Sequence, residues 1–124
     1  VIAAIVPQFF TDNIKATLEY YDRQLGFETQ FEFGDPVFYG GAIRDGLSLF
    51  FRQVDQMPPV APNKYRDELL DTYVRVTDIY GLYEEYSKTN VQISRQIGSK
   101  PWGFTEFVVR DIDGRLLCFG QATE

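Results

Sequence analysis

The sequence runs through one order of elements twice, which restricts it to folds built from a repeated module. In the first pass, the β-branched apolar stretch Val1 to Phe10 reads as a strand interrupted at Pro7. Proline cannot donate to a sheet ladder, so Pro7 marks an edge, a bulge or a strand crossing. Thr11-Asp12-Asn13 supplies N-cap chemistry. Ile14, Leu18, Tyr21 and Leu25 then share one face of a helix that Gly26 ends. Phe27 to Phe33 alternates, with Phe27, Thr29, Phe31 and Phe33 on one side, and Gly34-Asp35-Pro36 is a turn. Val37 to Arg44 and Leu47 to Arg52 are strands around Asp45-Gly46, a hairpin signal.

The second pass repeats that order. Asp71 to Val76 is a strand, and Thr77-Asp78 caps a helix with Ile79, Leu82, Tyr83 and Tyr86 on its apolar face. Val91 to Ile97 and Phe104 to Arg110 are strands, and Asp113-Gly114 turns into a last strand, Arg115 to Gln121. Thr77-Asp78 follows Thr11-Asp12 by 66 residues, and Asp113-Gly114 follows Asp45-Gly46 by 68. One half alone has a single helix and leaves the other sheet face bare. The expected fold is therefore α+β: tandem βαβββ modules forming a curved mixed sheet, with helices outside and a concave cup inside. The expected organisation is a single domain over 1–124 made of modules at about 1–55 and 71–124. Gln53 to Leu70, with Pro58, Pro59 and Pro62, is a linker that ends in a short helix around Lys64 to Leu70.

Composition excludes several functions. A net charge of −6 argues against nucleic acid, whose phosphates need Lys and Arg. No apolar run reaches the ~18–20 residues needed to span a bilayer, so no membrane partner is expected. The chain opens without methionine, so a few residues are expected to precede Val1. One cysteine, Cys118, forms no intrachain disulfide; with no secretory signal in view, it points to a cytoplasmic protein. The chain has no histidine, so no Ser/His/Asp or Cys/His nucleophile set exists. Gly40-Gly41 is a lone pair in a strand and grips no phosphate. Cys118, between apolar neighbours, reads as a small buried hydrophobe.

Aromatic surface is what remains. Eleven Phe, eight Tyr and one Trp make up 16% of the chain, more than a small core needs. Trp102, between Lys100-Pro101 and Gly103, sits on a loop, as either a lid on the core or a platform for a flat ligand. Phe31, Phe33, Phe51 and Phe104 are core residues or walls of the same cup, and Tyr65 and Met57 on the linker are placed to close over it. Glu32, Asp35, Asp71 and Glu106 lie near the expected cup or its rim, where a carboxylate facing a cationic ligand counts for more than an exposed pair.

At this point the chain resembles the vicinal oxygen chelate superfamily, which includes glyoxalase I, extradiol dioxygenases and bleomycin resistance proteins, and resembles the last most. The resemblance is carried by Val6-Pro7, by Tyr20-Tyr21 through Leu25-Gly26-Phe27, and by Tyr39 to Phe50. Its most specific stretch is Ile97-Gly98-Ser99-Lys100-Pro101-Trp102-Gly103, continuing through Glu106-Phe107 and Arg110-Asp111 to Phe119. Family enzymes hold a metal with two His and a Glu; those positions fall here on Val6, Asp71 and Cys118. Valine cannot ligate, and one carboxylate with one thiol is not a usual three-ligand set. No cofactor is expected, although an all-oxygen Mg²⁺ or Mn²⁺ site elsewhere stays open. The resemblance implies a homodimer, with the first strand around Pro7 exchanged between subunits. It also implies a drug stacked between Trp102 and an aromatic at Tyr39. The expected function is metal-free sequestration of a flat, cationic small molecule of the bleomycin type, at Tyr39, Trp102, Phe33, Phe51, Tyr65, Phe104, Asp71 and Glu106. The alternative is a diverged lyase or isomerase using Glu106 or Asp71 as general base.

Overall fold

The computed structural model describes residues 1–123. Among them are two helices and eight strands, in two four-stranded mixed sheets, one in each of two compact units. The first unit covers Val1–Pro59 and the second begins at Val60.

In the first unit, β1 (Gln8–Thr11), α1 (Ile14–Arg23), β2 (Glu28–Gly34), β3 (Val37–Arg44) and β4 (Leu47–Gln53) follow the expected order. The sheet order is β1-β4-β3-β2, with β1 parallel to β4 and the other pairs antiparallel. Asn13 is the helix N-cap, its side chain accepting from the Ala16 N–H. Ile14, Leu18, Tyr21 and Leu25 are all buried, as their spacing requires. Asp45 and Gly46 both have positive φ, 52° and 77°, as a tight two-residue hairpin demands.

Two expectations fail in this unit. Val1 to Val6 form no strand; Ile2 and Ile5 are 89% and 91% exposed. The ladder begins only after Pro7, whose carbonyl accepts from Phe50 N–H, and no strand among the described residues pairs with the preceding ones. The alternation from Phe27 to Phe33 is also broken. Thr29 faces Ala42 and Phe31 faces Gly41, so Gln30 is the extra residue of a bulge. Phe27 therefore packs in the core against Tyr21, while Phe31 turns to the face away from the helix.

The second unit repeats the pattern with β5 (Thr72–Arg75), α2 (Ile79–Ser87), β6 (Gln92–Ser99), β7 (Phe104–Arg110) and β8 (Leu116–Ala122), in sheet order β5-β8-β7-β6. Asp78 caps α2 by accepting from the Gly81 N–H. Ile79 and Tyr86 are buried, and Tyr83 and Tyr86 lie edge-on to Phe107. The short helix expected at Lys64 to Leu70 is absent; that stretch is a run of turns. Glu68 has φ +51°, a left-handed conformation that cannot continue a helix.

Candidate functional site

Strand alternation sends Phe107 and Val109 of β7 toward α2, so Phe104, Glu106, Val108 and Arg110 face the other way. On that open face lies a carboxylate held by three donors. Glu106 is 2% exposed. Its Oε2 accepts from the Tyr73 hydroxyl at 2.7 Å and the Trp102 indole N–H at 2.9 Å, and its Oε1 accepts from Arg95 Nη2 at 3.1 Å. Burial pushes the Glu106 carboxyl up, but these three hydrogen bonds and the Arg95 charge outweigh it and hold it below its ordinary value. It is ionised at neutral pH. Tyr73 is pushed up in turn, by burial first and then by the hydrogen bond and charge of Glu106.

Local structure explains how Tyr73 gets there. In the β5–β8 register Tyr73 lies opposite Cys118 and Arg75 opposite Gly120. The Tyr73 hydroxyl crosses β8 at Gly120, where any Cβ would collide with it. Phe104 packs edge-on to Tyr73, and the Arg75 guanidinium lies 4.7 Å over the Phe104 ring. Arg95 is gripped from the far side by both carboxylate oxygens of Glu68, so the Lys64–Leu70 turns are tied to the Glu106 cluster.

Trp102 is fixed at its N–H yet 63% exposed. Its indole is a held, open surface. The loop that presents it closes through Lys100 N–H to Phe104 O and Gly103 N–H to Lys100 O, with Gly103 at φ +86°. Of the expected site residues, Trp102, Phe104 and Glu106 thus come together, joined by Tyr73, Arg75, Arg95 and Glu68, which the sequence reading did not single out. Alternation along Asp71-Thr72-Tyr73-Val74-Arg75 could have placed Tyr73 and Arg75 on one face; nothing local marks Arg95 or Glu68.

The other expected residues sit elsewhere. Tyr65 donates to the Gly114 carbonyl and stacks under Arg110, whose guanidinium is 3.8 Å from its ring. Asp71 precedes β5 and accepts from Lys64 Nζ and the Leu116 N–H, which ties the strand start to β8. In the first unit, Tyr39 belongs to an open-face trio with Phe31 and Phe50, and its hydroxyl donates to Gln8. Phe33 is 63% exposed beside Phe38. Phe51 is wholly buried against Tyr21 on the helix side, a core residue without a surface for a ligand.

The positions that carry the metal in the family do not fit one here. Val6 has no donor, Asp71 is committed to Lys64 and Leu116, and burial, followed by the nearby Glu106 charge, pushes the Cys118 thiol up to about 12. Among the described residues no group of three or more Asp, Glu or Cys is placed to hold a metal ion. Among the described residues no helix is long and apolar enough to cross a membrane.

The repeated βαβββ units, with helices on one face of each sheet and a side-chain cluster on the other, define the architecture on which such sites are built. Residues 2–119 match the model of the Glyoxalase/Bleomycin resistance protein/Dioxygenase superfamily, and the chain belongs to that family. No curated relative matches the sequence. Among solved structures, the fold is similar to a bleomycin resistance determinant encoded on the transposon Tn5, with TM-score 0.77, 19% identity and 98% of each chain covered. It is similar to the bleomycin-binding protein of Streptomyces verticillus complexed with copper(II)-bleomycin, with TM-score 0.69, 24% identity, and 100% of this chain and 98% of that one covered. A glyoxalase-related enzyme from Clostridium phytofermentans is as similar in fold, with TM-score 0.77, 17% identity, and 98% of this chain and 96% of that one covered.

Proposed function

We propose that this protein binds and sequesters a flat small molecule by stacking it on Trp102, without a metal and without breaking a bond. The observation that carries the reading is the Trp102 indole, 63% exposed but fixed through its N–H to a buried, ionised Glu106. An exposed aromatic ring held in one orientation loses little side-chain freedom when a ligand arrives, and this preorganisation favours binding. Burying such faces contributes about 1.5–3 kcal/mol per large side chain, with ring stacking in addition. The bleomycin resistance proteins of similar fold make a bleomycin-type drug the first candidate ligand. We place the protein in the cytoplasm as a homodimer. Val1 to Val6, apolar and paired with no strand among the described residues, is the segment to exchange between subunits.

The competing reading is a lyase or isomerase with a carboxylate general base. Such a base works best with a pKa raised toward neutrality. Glu106 is held in the opposite direction, and Asp71 is engaged by an ammonium and a backbone N–H. Both facts favour binding over catalysis.

Titration of metal-free bleomycin into EDTA-treated protein tests the proposal, by calorimetry and by the fluorescence of Trp102, the one tryptophan in the chain. Submicromolar binding at one site per chain, weakened tenfold or more by Trp102→Ala, is the expected result. Binding that survives Trp102→Ala within about twofold, a few tenths of a kcal/mol, overturns the stacking model.

A further inference from the structure

The cation expected as ligand finds no free carboxylate at this platform. Both oxygens of Glu106 are taken by Tyr73, Trp102 and Arg95, and its charge is met by Arg95. Glu68, the other carboxylate of the cluster, is bound through both oxygens to Arg95 Nε. The indole N–H is also spent, so Trp102 offers a ligand only its π face.

Two charges on this face have no carboxylate partner among the described residues, and both are positive: Arg110, half-buried over the Tyr65 ring, and Arg75. Arg75 is exposed, and its guanidinium rests on the Phe104 ring with no carboxylate partner among the described residues. The register sets Arg75 against Gly120 and Gly120 against Glu106, so Arg75 lies in the same cross-strand row as the carboxylate that holds Trp102. Two strand spacings make that backbone separation about 10 Å, and the guanidinium lies over Phe104, two residues along the chain from Trp102. An exposed guanidinium stacked on a ring keeps its planar fork of N–H donors, the geometry that matches a carboxylate or sulfonate. The net charge of −6 does not reverse this locally, because at physiological salt distant charges are screened beyond about 8 Å.

We propose that the Trp102 platform selects flat aromatic ligands bearing an anionic group, and that Arg75 is the residue that recognises the charge. The proposal rests on the stacking reading above but departs from its cationic, bleomycin-type candidate, and names an anionic aromatic as the ligand class instead.

Three probes with one ring system test it: 2-naphthoate, 2-naphthamide and 2-naphthylmethylammonium. Each is titrated calorimetrically into the wild-type protein, Trp102→Ala and Arg75→Gln. Circular dichroism confirms that the variants fold. The expected result is naphthoate binding at least tenfold tighter than the ammonium compound, with Arg75→Gln bringing the two within about twofold and Trp102→Ala weakening both. Trp102-dependent binding that is equal for the three probes, or tightest for the cation, overturns the ligand class and leaves the stacking reading standing. An anion preference that survives Arg75→Gln overturns the role of Arg75. No Trp102-dependent binding of any probe overturns the stacking reading and this inference together.

Discussion

The two units solve one folding problem in the same way and then use their open faces differently. On the helix side they correspond almost residue for residue. Tyr21 and Tyr86 are both fully buried, and each meets the aromatic ring of its last strand, Phe51 or Phe119. On the other side the correspondence ends. Tyr39 and Glu106 occupy equivalent places, each across from the equivalent residue of the last strand, Arg52 or Gly120. In the first unit Tyr39 joins Phe31 and Phe50 in an aromatic trio and donates to Gln8. In the second, Tyr73, at the position equivalent to Gln8, donates to Glu106. The helix faces carry the requirements of folding, which are the same twice. The open faces are where the copies were free to diverge, and only the second combines an ionised buried carboxylate with a fixed, exposed indole.

The largest expected effect tests the shared side. Tyr21→Ala and Tyr86→Ala each remove a fully buried ring, which costs about 3–5 kcal/mol in a packed core. Urea unfolding followed by circular dichroism should show losses that agree within about 1 kcal/mol. A loss in one variant less than half of that in the other breaks the equivalence of the helix faces.

The next effect tests the divergent side. Tyr73→Phe removes a 2.7 Å bond to an ionised carboxylate, and a hydrogen bond to a charged group contributes about 1.5–3 kcal/mol. Tyr73 is 40% exposed, so the low end of that range applies. Tyr39→Phe removes a neutral, exposed bond to Gln8 and should cost less than about 0.5 kcal/mol. Equal losses would mean that the Glu106 cluster is no tighter than its counterpart.

Acid probes the same cluster. The folded-state pKa of Glu106 lies below the ordinary 4.5, so its contribution to stability is present above about that value and is lost as the pH falls through the lower, folded value. Trp102 emission should hold constant from neutral pH to about 4.5 and change only below it. In Glu106→Gln that acid transition should vanish. A transition above pH 5 in the wild-type protein would contradict an ionised Glu106 stabilised by its three donors.

Much of the helix side was legible in the sequence, and little of the open face. The spacing of Ile14, Leu18, Tyr21 and Leu25 marks a buried stripe because a helix has a fixed period, and Asp45-Gly46 marks a hairpin because few residues tolerate positive φ. Trp102 stood out because Pro101 and Gly103 forbid a regular strand around it. The rest of the Glu106 cluster did not. Tyr73, Arg95 and Glu68 lie 33, 11 and 38 residues away from Glu106, and they meet only through strand register and a left-handed turn at Glu68. The sequence left Phe31 and Phe51 alike between core and cup wall, and the structure separates them. A bulge at Gln30 moved Phe31 to the open face, while the period of two puts Phe51 with the helix and its neighbour Phe50 with Tyr39.

The last prediction returns to the shared side, at a device that no composition or spacing rule revealed. Gln53 ends β4, and its Oε1 accepts from the Ile14 N–H while its Nε2 donates to the Asp12 carbonyl. Gln121, 68 residues later in β8, repeats this with the Ile79 N–H and the Thr77 carbonyl. Each side chain satisfies a helix N-terminal N–H that has no partner within its helix, and so ties the helix start to the last strand of its unit. Loss of a cap costs about 0.5–2 kcal/mol, so Gln53→Ala and Gln121→Ala should each lower stability by about 1 kcal/mol. Because Gln121 holds the helix side of a sheet whose opposite face carries Glu106, Gln121→Ala should leave Trp102 emission and ligand affinity within about twofold of wild type. A change in Trp102 emission as large as that of Glu106→Gln would show that the two faces are coupled through β8, and the division between a folding face and a binding face would then fail.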